Sequence, residues 1–112
     1  MGQYHKLYNL TKKEMIHPRE IGNGLKLTEQ IGHDYSTSSA LFLLVANSNG
    51  RGGGDAPPHP MIGRWAGDRI VVQGDYAVET DPGFTDREPR VIFEDISKEV
   101  WDMLETVFAE TE

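Results

Sequence analysis

The sequence predicts an α+β fold, a mostly antiparallel sheet with about three helices packed on one face, in the order ββ-α-α-ββ-β-α. Three features carry that expectation. Ile70-Val71-Val72 is the strongest β-branched run in the chain, and branched side chains suit a pleated, half-buried surface. Val100, Leu104, Val107 and Phe108 recur at helical spacing, with Trp101 widening the stripe. The apolar run at residues 40–46 lies between hydroxyl residues that cap helices and an Asn/Ser/Gly segment that stops them.

Taken in order, residues 3–10 alternate as a strand, with Tyr4, Lys6, Tyr8 and Leu10 on one side. Thr11-Lys12-Lys13 turns the chain, residues 14–17 return as a short partner strand, and Pro18 stops it by lacking an amide donor. Gly22-Asn23-Gly24 is a loop. Residues 25–31 read as a short helix closed by Gly32. The run at 40–46 is a second helix, apolar on all sides and therefore expected at the centre of the core. Residues 50–60, with a triglycine and three prolines, read as a flexible exposed loop. A β-hairpin is expected over residues 63–76, turning at Ala66-Gly67-Asp68-Arg69. Residues 79–89 form an acidic loop, residues 90–94 a last strand, and Ser97 caps the terminal helix.

A chain of 112 residues has room for one domain spanning its whole length. It contains no cysteine, which removes disulfides and thiolate metal sites. No apolar run reaches about 18 residues and the start lacks a signal-peptide pattern, so a cytoplasmic protein without a membrane segment is expected. Eleven Lys and Arg against 18 Asp and Glu leave a net charge of −7, which disfavours binding nucleic acid through its phosphates. The acids concentrate at the C-terminal end. Glu99, Asp102, Glu105 and Glu110 form a face that is either a solvated surface or a docking site for a basic protein.

Signals for chemistry are weak. Asn49-Gly50-Arg51-Gly52-Gly53-Gly54-Asp55 invites a phosphate-loop reading but lacks the Gly-Lys-Ser/Thr ending. No two of the four histidines fall at metal-ligand spacing, and no cofactor is implied. A site assembled from distant positions would use His17 with Asp68 or Asp75, beside Arg64 or Arg69 as an anion clamp. The two aspartates stand roughly 20 Å apart along one strand, too far to share one site, and turn formation explains them better. His59 among prolines reads as an exposed loop residue, and Ser36 to Ser39 read as cap hydroxyls without a nucleophile elbow. Trp65 and Trp101 offer either core anchors or an aromatic binding surface.

Residues 1–14, His17-Pro18 with Gly22-Asn23-Gly24-Leu25-Lys26-Leu27, and residues 65–76 resemble a family of small proteins without an assigned activity. These are encoded by bacteriophages, plasmids and actinobacterial genomes, and the resemblance covers about two-thirds of the chain. It implies a mobile-element setting and carries no catalytic residue. The family pattern has Gly-Asp-Gly where this chain has Gly22-Asn23-Gly24, which argues against a catalytic or metal-binding acid there.

The leading expectation is a non-enzymatic binding protein acting on a host or phage protein, such as a defence factor, through its acidic surface. The alternative is a small metal-dependent enzyme acting on phosphate-containing substrates through His17 with Asp68 or Asp75. Edge-to-edge pairing of the first strand or the hairpin into a homodimer is the structural option.

Overall fold

The computed structural model describes residues 2–85 and 93–109. Four strands form one sheet in the order β3-β1-β2-β4, with β1 at His5–Asn9, β2 at Glu14–Ile16, β3 at Ile70–Gly74 and β4 at Glu94–Asp95. Helix α1 spans Thr37–Leu44 and helix α2 spans Ser97–Phe108. The class is the expected α+β. The sheet is mixed, because β1 pairs antiparallel with both β2 and β3 while β4 runs parallel to β2.

The β1–β2 turn forms where the sequence placed it. Lys13 takes a left-handed φ of 59°, and the Asn9 side chain accepts the Lys12 amide at 2.8 Å. Leu7 stands opposite Ile16, and both are fully buried beneath Ala40, Leu44, Val100, Met103 and Leu104 of the two helices. Their neighbour Tyr8 faces the other way and is also buried, against Phe93 in an edge-to-face contact at 5.0 Å. Both faces of β1 are therefore covered, which is why its alternation is not cleanly apolar and polar.

The expected helix at residues 25–31 contracts to a single 3₁₀ turn, Leu27–Gln30. A segment this short cannot nucleate a helix unless tertiary packing holds it. Here Leu27 and Ile31 stay exposed, and the buried residue is Gln30, whose amide donates to the carbonyls of His5 and Leu25. A second 3₁₀ turn, Pro18–Ile21, follows β2 directly. Asn23 accepts the Thr37 amide through Oδ1 and donates through Nδ2 to the carbonyls of Ile21 and Tyr35. An aspartate has no such donor.

Helix α1 begins as expected, with the Ser36 hydroxyl accepting the Ser39 amide. It does not sit at the centre of the core. Thr37, Ala40 and Leu44 form its buried stripe, whereas Phe42 is 76% exposed. The centre is occupied by Trp65, fully buried among residues of both helices and the sheet.

That placement overturns the hairpin at 63–76. Residues 61–68 are a succession of turns, and β3 pairs with β1 instead of a local partner. The amides of Gly63 and Trp65 donate to the carbonyls of Leu43 and Leu44, closing the end of α1. Gly63 has a φ of 86°, and a Cβ there would meet the Ala46 carbonyl oxygen at 2.8 Å. The segment is a helix cap that carries a core tryptophan.

The strand expected at 90–94 lies largely outside the described residues, with Glu94–Asp95 pairing beside β2. Helix α2 buries Val100, Met103 and Leu104, while Val107 and Phe108 are only half-covered. Ser97 is its first residue and not its cap. Asp95 accepts the Ser97 amide at 2.9 Å, placing a carboxylate at the helix N-terminus. No described helix is long and apolar enough to cross a membrane.

Candidate partner-binding groove

Two of the four acids marked in the sequence meet at a concave surface. A groove of about 530 Å³ runs between α2 and the segment before Trp65, lined by His59, Pro60, Met61, Lys98, Glu99, Trp101 and Asp102. Its size falls within the range of ligand-binding clefts. Trp101 is backed by the ring of Tyr35 at 5.1 Å, and Tyr35 in turn meets Phe108 at 5.9 Å. The helical stripe thus splits. Val100, Met103 and Leu104 go to the core, and Trp101 goes to the groove. Glu105 is exposed on the same helix, and Glu110 lies outside the described residues.

His59 is a wall of this groove, its side chain 10% exposed, and not the exposed loop residue that its proline neighbours suggest. Its Nε2–H donates to Asp102 Oδ2 at 2.8 Å, and its Nδ1 accepts the Met61 amide at 3.1 Å. Both ring nitrogens make hydrogen bonds, so the pair joins loop to helix. No sequence signal connects positions 43 residues apart.

The loop at 50–60 carries hydrogen bonds of its own. Asp55 Oδ2 accepts the amides of Gly50, Arg51 and Gly52 at 2.8, 2.8 and 2.9 Å. Those bonds, with Gly52 foremost, hold the Asp55 carboxyl below its ordinary value. Asn49 exchanges side-chain bonds with both backbone groups of Ala56. The glycine-rich amides do cradle an anion, and that anion is the chain's own.

The residues of the enzymatic alternative are only partly brought together. Asp68 sits at one end of β3, accepting from Asn9 Nδ2 at 2.8 Å and Lys12 Nζ at 2.5 Å. The Asn9 bond first, then Lys12, holds its carboxyl low. Asp75 sits at the other end, where its Oδ1 accepts the Tyr4 amide, and it shares a smaller cavity with His17. Arg64 is not a clamp for an external anion. Its guanidinium grips the 3%-exposed Glu14 through Nε and Nη2, and the Trp65 indole donates to Glu14 Oε1 at 2.7 Å. Arg69 is exposed at the surface. Among the described residues, no group of three His, Asp or Glu is placed to hold a metal ion.

Burial pushes the Glu14 carboxyl up, but the bonds from Arg64 and Trp65 outweigh it and leave the group below its ordinary value. The same pairing raises Arg64. Glu14 is the most consequential polar residue that sequence reasoning missed, since a lone glutamate in a short strand gives no sign of burial.

Comparison of the chain with protein-family models, with curated proteins and with solved structures finds no match in any of the three.

Proposed function

We propose that this is a non-enzymatic binding protein whose working surface is the groove beside α2, and that its partner is a basic protein segment anchored by an apolar side chain. One observation carries the reading: Trp101, Met61 and Pro60 offer apolar surface in a groove that also holds Glu99 and Asp102. An amphipathic aromatic in a cleft is the usual anchor point of a protein interface, while surrounding charges set partner choice and association rate. Glu105 extends the acidic rim along the helix. Lys98 is the one lysine or arginine in the described lining, against Glu99 and Asp102, so the formal charge there is acidic on balance. In the mobile-element setting implied by the sequence resemblance, such a partner is a host or phage protein with a basic surface.

Selection from a random peptide display library tests this directly. Sequences enriched in Lys or Arg around an aromatic or aliphatic residue are expected, with binding that weakens as salt rises. Enrichment of neutral or acidic sequences would remove the reading. Because Trp65 is buried, the emission change on binding should come from Trp101 and vanish in Trp101→Phe.

A further inference from the structure

His59 lies between two cavities. On one side is the groove beside α2. On the other is a cavity of about 330 Å³ whose lining includes Asn47, Ser48, Pro58 and Ile62. The ring is a partition with space behind it, and two bonds hold it. The Met61 amide can only donate, so the Nδ1 that it meets at 3.1 Å presents a lone pair. The ring proton therefore stands on Nε2, which donates to Asp102 at 2.8 Å. This is the neutral imidazole in one tautomer. A second proton has only Nδ1 to go to, where it faces the Met61 N–H, donor against donor. Met61 is buried in the core, so its amide has little water to turn to once that acceptor is gone. The bond to Asp102 survives protonation, but that carboxylate is 73% exposed, where an ion pair adds little. The charged groups facing the ring are few. Helix α2 brings Asp102, with Lys98 and Glu99 along the groove. Among the described residues, segments 46–49 and 60–63 bring none, and Asp55 of the ring's own loop is turned to the amides of residues 50–52.

We infer that His59 is a pH-operated latch on the groove. Neutral, it holds Pro60 and Met61 in place as the apolar wall. On taking up a proton at Nδ1 it lets Met61 go and loosens the hold on a basic partner. The partner's chemistry rests on the groove reading above, whereas the latch is a property of the free protein. Two effects act in the same direction. The wall that carries Met61 loses its tie to the ring. The charge of the lining changes as well: Glu99 and Asp102 against Lys98 leave one net negative charge, and an imidazolium cancels it. Histidine suits such a device because its charge changes between about pH 5 and 8. Glu14, whose protonation weakens the fold, is held below its ordinary value of 4.5 and so titrates beneath that window.

NMR of the full-length protein without ligand, taken from about pH 8 to about pH 5, tests the latch alone. The protection factor of the Met61 amide against solvent exchange is expected to drop with the same midpoint as the His59 ring titration. The buried Trp65 indole reports on the same samples that the fold is intact. A protection factor that stays level through the His59 titration would overturn the inference. Affinity for the peptide acetyl-Lys-Arg-Phe-Arg-Lys-amide, whose own charge is constant over this window, reads the consequence. It should fall about fivefold or more from the neutral to the acid end in wild type. In His59→Gln it should stay level across the window, whatever the absolute affinity of that variant. An equal fall in both proteins would also overturn the latch, because another group would then be titrating. Failure of the peptide to bind at any pH would strike the groove reading instead, with the Met61 amide still deciding the latch.

Discussion

Glu14 and Asp102 are both carboxylates gripped by a base from the segment around Trp65, yet they occupy opposite environments. Glu14 is 3% exposed, held by Arg64 and capped by the Trp65 indole. Asp102 has a side chain 73% exposed and takes one bond from His59. The first arrangement leaves no valence for a ligand, so its value lies in fixing how β2 meets the turns that carry the core tryptophan. The second leaves one carboxylate oxygen and most of its surface to solvent, beside an aromatic ring in a groove. Polar groups in this molecule divide along that line, and the division tells where binding can occur.

The largest effect should come from breaking the interior side. Trp65→Ala removes a fully buried ring from the core and the donor to Glu14, and is expected to cost about 3–5 kcal/mol in urea unfolding. A cost under about 1 kcal/mol would show that the hairpin reading of residues 63–76 was nearer the truth. Glu14→Gln is next, at about 2–3 kcal/mol, because Arg64 loses its charged partner while staying partly solvated.

The acid limb of stability sharpens the same contrast. A carboxyl held below its ordinary value of 4.5 contributes stability above that pH and loses it as the pH falls through the lowered native value. Wild-type protein should therefore lose stability on acidification below about pH 4.5, and Glu14→Gln should flatten that slope. An unaltered slope would mean that Glu14 is not the group being protonated.

Asn23→Asp ranks third, at about 1–3 kcal/mol, since the two donations to Ile21 and Tyr35 are lost inside a buried site. Unchanged stability would mean that the loop accepts either residue. Smallest is His59→Gln, expected to change stability by under about 1 kcal/mol, because its partner is exposed.

Much of the scaffold was legible because local signals agreed with tertiary demand. The β-branched run at 70–72 became β3, the alternation before Asn9 became β1, and the stripe after Ser97 became α2. The hairpin failed for a reason sequence alone does not display: Gly63 and Trp65 were claimed by the carbonyls at the end of α1. Similarly, the apolar run at 40–46 carries no mark distinguishing buried Ala40 from exposed Phe42. Of the candidate site, Glu99 and Asp102 could be chosen from charge density on a helix. Their counterparts His59, Pro60 and Met61 could not, because only the closed loop at 49–56 carries the chain back toward α2.

The most direct measurement takes a library-selected basic peptide and compares wild type with the Glu99→Gln, Asp102→Asn, Glu105→Gln triple variant, reading affinity and urea midpoint on the same samples. The account predicts an affinity loss of about tenfold or more, with stability changed by no more than about 1 kcal/mol. Unchanged affinity, or a loss of stability large enough to explain the lost binding, would contradict it.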